Sequence, residues 1–70
     1  MSSDEKIAAI KELLQVYGIE RSQLLKNYQE SLGQAPGMQK AADISTAYLY
    51  NSTRIAEEFA KNVQSIISNL

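Results

Sequence analysis

The chain has no cysteine and no histidine. The first absence removes disulfides, zinc–thiolate sites and thiol redox chemistry. The second removes the commonest general base and the commonest metal ligand together, and with them the Glu-x-x-His pattern of di-metal helical bundles. A dominant charge is missing too: seven basic residues against eight acidic ones leave a formal net charge of −1. A nucleic-acid surface calls for a basic stripe and a membrane-surface helix for a Lys/Arg-rich polar face, and neither is present. No apolar run approaches the ~18 residues of a spanning helix. The opening residues Met1-Ser2-Ser3-Asp4-Glu5 are polar and acidic rather than basic and then apolar, so no signal peptide is expected. These absences lead to the expectation of a soluble, cytoplasmic, non-catalytic protein with no metal or cofactor, no membrane partner and no strong claim on nucleic acid.

The remaining inventory agrees with a non-enzyme. Glu57 and Glu58 are adjacent and diverge by about 100° on a helix, so they make no acid/base pair. No serine sits in a G-x-S-x-G elbow or has a histidine to serve it. Asn51-Ser52-Thr53 matches a glycosylation acceptor but falls in the middle of a helical pattern.

Two long helical patterns flank a single break. The first opens on a capping box, Ser2 with Glu5 three residues on, and Asp4 and Glu5 suit the helix dipole. Apolar residues then recur at Ile7, Ile10, Leu14, Tyr17, Leu24, Tyr28 and Leu32, with Leu13 and Leu25 widening the stripe. Steps of three, four and seven are helical, and alternation of period two is nowhere sustained. The break is Gly33-Gln34-Ala35-Pro36-Gly37, with glycine at the end of one helix and proline at the start of the next. The second pattern runs through Met38, Ala41, Ala42, Ser45, Tyr48, Leu49, Ser52, Ile55, Ala56, Phe59, Ala60, Val63, Ile66, Ile67 and Leu70, with small residues at several seam positions. The expected domain is therefore one helical hairpin, with a helix over about 3–32, a turn at 33–37 and a helix over about 38–69. Gly18-Ile19 offers an alternative stop inside the first helix, which would give three helices, and Asp43 offers a later cap for the second.

Seventy residues bury little surface on folding, so helix packing or oligomerisation has to supply stability. The doubled apolar pairs Leu13/Leu14, Leu24/Leu25 and Ile66/Ile67 are too broad for a seam between two helices and match the wider face of a bundle helix. Residues 44–53 and 62–70 hold no charge, as interface cores do. The expected architecture is an all-α antiparallel hairpin that dimerises into a four-helix bundle, closed dimers being the commonest oligomers. Ile7, Ile10, Leu14, Tyr17, Leu24, Tyr28, Tyr48, Leu49, Ile55, Phe59, Val63 and Ile66 are the candidate core and interface. Ile10, Leu14, Leu24, Ile55, Phe59 and Ile66 are expected to be buried. Tyr48 and Tyr50 cannot share a face, and Tyr50 is the candidate for an outer contact.

Two segments carry resemblances. Gly18-Ile19-Glu20-Arg21-Ser22-Gln23-Leu24 resembles the turn and recognition-helix start of helix-turn-helix proteins, which would imply DNA binding. The reading helix would present Glu20, Gln23, Lys26 and Asn27 with little basic support. The tail Phe59–Leu70 resembles the C-terminal helix end of type III secretion needle subunits, short helical hairpins with a proline-containing turn. That resemblance implies a self-assembling filament, although the stretch from turn to terminus is shorter than in that family. The function expected is protein–protein association as an adaptor, regulator or scaffold, through a homodimer or with a protein partner. The alternatives are a filament subunit and a nucleic-acid module.

Overall fold

The structure, a computed structural model, describes residues 2–68. Two helices of equal length, α1 (Ser3–Gly33) and α2 (Met38–Ser68), lie antiparallel and pack on each other. The Cα envelope measures 53 × 16 × 7 Å, a flat paddle one helix thick. Its radius of gyration is 16.2 Å, against about 11 Å for a compact domain of this length. Asn69 and Leu70 lie outside the described residues, so the reach of the second helix to 69 and the place of Leu70 in its stripe do too.

Each helix end has a local cause. Ser2 is the N-cap of α1, in extended backbone (φ −76°, ψ 165°), and its hydroxyl accepts the Glu5 N–H at 3.2 Å. Asp4 and Glu5 set negative charge against the exposed N–H groups of the first turn. At the other end the expected glycine stop takes a different form. Gly33 is the last helical residue, Gln34 caps in the right-handed region, and no described residue has a positive φ. The helix closes instead by tightening, with Gln34 N–H to the Ser31 carbonyl and Ala35 N–H to the Leu32 carbonyl, both 3.2 Å. These i→i−3 bonds satisfy carbonyls that would otherwise be orphaned. Pro36 stands outside α2 rather than in its first turn. Gly37 carries the first helical acceptor, bonded to Ala41 N–H at 3.0 Å. Met38, not Asp43, begins the helix, and Asp43 accepts from the Gln39 side chain within it.

α1 runs unbroken through Gly18. Neither the three-helix fold nor the turn that a helix-turn-helix needs is formed there. A Cβ at Gly18 would meet nothing within 4 Å, so within a single hairpin the glycine only adds unfolded-state freedom. Gly18→Ala is therefore expected to raise the unfolding free energy of one chain by about 1 kcal/mol, read as a higher Tm at a concentration low enough for monomer. A fall in Tm at that concentration would mean that α1 bends at this point in solution.

Candidate association face

The seam between the helices is aromatic at two levels. Tyr17 stacks on Phe59 with ring centroids 4.5 Å apart and an interplanar angle of 10°. Tyr28 stacks on Tyr48 at 4.4 Å and 16°. The pairs lie eleven residues apart on both helices, so they fix one antiparallel register. Stacked aromatics contribute roughly 0.5–1.5 kcal/mol per pair beyond their buried area. The second pair is also hydrogen-bonded to its surroundings. Ser45 Oγ donates to the Ala41 carbonyl at 2.8 Å and lies 2.8 Å from the Tyr28 hydroxyl. Its single proton is thus committed, so Tyr28 is the donor to Ser45. Around these clasps Ile10, Leu13, Leu24, Ile55, Val63 and Ile66 are half-buried.

None of the described residues is buried below the level of half-burial. Ile10, Leu24, Ile55, Phe59 and Ile66 line the seam but stay partly wet, because one helix can cover only one side of another. Leu14 was expected in the core and is not in the seam at all: it is 55 % exposed. Leu13 takes the seam position, since Ile10, Tyr17 and Leu24 set the direction and Leu14 is turned about 60° from it. Ile7 and Leu49 are likewise outside the seam, at 52 % and 63 % exposure.

Where these outer side chains point follows from helix handedness. Leu14 follows Leu13, Leu25 follows Leu24, Leu49 follows Tyr48, Ala56 follows Ile55 and Ile67 follows Ile66. In each case the first residue lines the seam and the second is one step, about 100°, further round. Viewed from one end, antiparallel helices wind in opposite senses. Residues one step after the seam therefore emerge on the same side of the paddle, and residues one step before it on the other. The grooves agree: Val16 and Glu20 line one with Glu58 and Asn62, and Asn27 and Ser31 line another with Ala47 and Asn51. That side is polar. The opposite side carries Ile7, Leu14, Leu25 and Leu32 from α1 with Ala42, Leu49, Ala56, Ala60 and Ile67 from α2.

Charge follows the same division. The six charged residues of α2 (Lys40, Asp43, Arg54, Glu57, Glu58 and Lys61) fall within an arc of about 100°, turned away from both the seam and the apolar face. On α1, Arg21 stands at the middle of that face, its guanidinium carbon 5.6 Å from the centroid of the Tyr17 ring, and Lys11, one step after Ile10, stands at its outer border. Among the described residues no helix is long and apolar enough to cross a membrane. Among the described residues, acidic side chains gather nowhere in a group of three suited to a metal ion.

No protein-family model matches the chain, and no curated protein or solved structure is significantly similar to it. The surface itself is therefore the ground for a functional reading. Of the residues singled out from the sequence, the structure brings Tyr17 to Phe59 and Tyr28 to Tyr48. It gathers Ile7, Leu14 and Leu49 on the free face, and it leaves Tyr50 alone on the outer edge of α2, 70 % exposed. Leu25, Leu32 and Ile67 belong to the free face without having been singled out as interface residues; the doubled apolar pairs were the signal for Leu25 and Ile67, and the helical spacing of the stripe was the signal for Leu32. Ser45 stood in the stripe of the second helix as a small seam residue, but its bond to Tyr28 had no signal in a one-dimensional pattern.

Proposed function

We propose that this chain is a non-catalytic association protein whose apolar face is covered by a second copy, closing a four-helix bundle that serves as an adaptor, regulator or scaffold. The observation that carries the reading is the coincidence of the second apolar stripe of both helices on one side of the paddle. Area supports it. A folded monomer of 7.8 kDa exposes about 4,400 Å² by the usual scaling with mass, whereas the hairpin exposes 5463 Å². The excess of roughly 1,000 Å² compares with the about 800 Å² that a standard interface removes from each partner. The 53 × 16 Å face is large enough to supply it. Association then couples to folding, and Tm rises with protein concentration by mass action. A Tm that stays flat over a hundredfold range of concentration would sink this reading.

One observation favours a second reading, the filament. Ile19 and Tyr50, each 70 % exposed, point out of opposite edges of the paddle. A contact between one copy's Ile19 edge and the next copy's Tyr50 edge is heterologous and propagates instead of closing. Tyr50→Asp separates the two. In a closed dimer it changes Tm and mass very little, within about 0.5 kcal/mol for an exposed site. In a filament it places a charge in a contact and abolishes growth, which light scattering reads directly.

A further inference from the structure

The apolar stripe of α1 has a symmetry of its own. Ile7, Leu14, Leu25 and Leu32 are spaced 7, 11 and 7 residues apart, so the row reads the same in both directions about a point between Ile19 and Glu20. A step of seven falls about 20° short of two turns and a step of eleven overshoots three turns by about 20°. The drifts cancel, and the row runs straight along the helix. Such a row fits a second copy of itself run in reverse.

Building on the dimer reading above, we infer that the two hairpins pack with α1 against the second copy's α1, antiparallel, and with their turns at opposite ends of the bundle. A two-fold axis across the middle of α1 sets Ile7 against the second copy's Leu32 and Leu14 against its Leu25. α2 complies by size. Its larger face residue near the open end, Ile67, meets Ala42 near the turn of the other copy, and Leu49 meets Ala60. The midpoints of the two rows differ by about two residues, or about 3 Å. The two-fold axis doubles this to a stagger of about 6 Å between facing α2 residues; a crossing angle of about 20° over a helix separation of about 9 Å takes up about half of it and leaves about 3 Å, the rise of two residues.

The same axis brings Arg21 beside the second copy's Gly18. A charge shut in without a partner would oppose the dimer. The space where a Cβ at Gly18 would stand is open, which leaves the guanidinium a path along the Tyr17 ring to water. The rival closure turns the copies about the long axis of the bundle and sets α1 over the second copy's α2 with both turns at one end. In that arrangement Gly18 meets Ala56 at the waist, small against small, and Leu14 lies level with the second copy's Ala60 to Val63.

A chain without cysteine makes the test direct. Leu14→Cys and Leu25→Cys chains are mixed, unfolded, refolded together and oxidised. A covalent dimer forms in the mixture and not from either variant alone, because the two copies of residue 14 lie about 16 Å apart along the axis. Mixing Leu14→Cys with Ala60→Cys gives no covalent dimer. Sedimentation of the unsubstituted chain runs in parallel. A dimer mass together with 14–60 cross-links, or with neither cross-link, overturns the antiparallel α1 pairing and leaves the dimer reading standing. A monomer mass overturns the dimer reading and this inference with it.

Discussion

Replacing Phe59 with alanine is expected to lower the stability of the hairpin by about 3 kcal/mol, the lower end of the range for a core aromatic. The lower end applies because Phe59 is half-buried, with Tyr17 stacked over its ring. Truncation removes that stack and opens a gap that Tyr17 cannot fill from a fixed helical position. The loss is large for a domain with only a few kcal/mol in reserve. For a chain of this size each kcal/mol is about 4–8 °C, so Tm falls by more than about 10 °C, or the helix signal is lost at room temperature. The measurement is thermal circular dichroism at one concentration. A variant melting within a degree or two of the parent would show that the seam does not hold the hairpin together.

Leu14→Asp is expected to leave the hairpin folded and abolish its association. Leu14 already stands 55 % exposed beside the seam, so within one chain the substitution costs about 1 kcal/mol, the difference in helix propensity together with the contact its covered part makes. In the proposed bundle the same position faces another copy, and a carboxylate shut in there without a partner costs several kcal/mol. At about 1.4 kcal/mol per factor of ten, the dimer dissociation constant rises by more than about a hundredfold. Ile19→Asp is the control: the same change at a site 70 % exposed on the outer edge of α1 leaves the dimer intact. Equal behaviour of the two variants would remove the apolar face from the account.

The hairpin was legible in the sequence because its signals are local. The capping box, the spacing of apolar residues and the break around Pro36 each act within a few residues. The helices run over Ser3–Gly33 and Met38–Ser68 for those reasons. Gly18 was ambiguous for the same cause: a glycine is compatible with either a stop or a continuous helix, and only the packing of both flanks against α2 decides. The role of Leu14 was not legible. Leu13 and Leu14 are chemically identical neighbours, and the choice between them rests on the direction of the seam, which depends on Tyr17 meeting Phe59 across the chain. The pairing of Tyr28 with Ser45 is likewise a product of register. The free face was half legible. The doubled pairs announced more apolar surface than one seam needs, but that the surplus of both helices lies on one side follows only from the antiparallel arrangement.

Sedimentation equilibrium across a hundredfold range of concentration decides whether the apolar face closes on a second copy. The expected mass is twice the 7.8 kDa of the chain at micromolar concentration, giving way to monomer on dilution and showing no larger species. A mass of one chain throughout would contradict it, and so would a mass that climbs without limit as concentration rises.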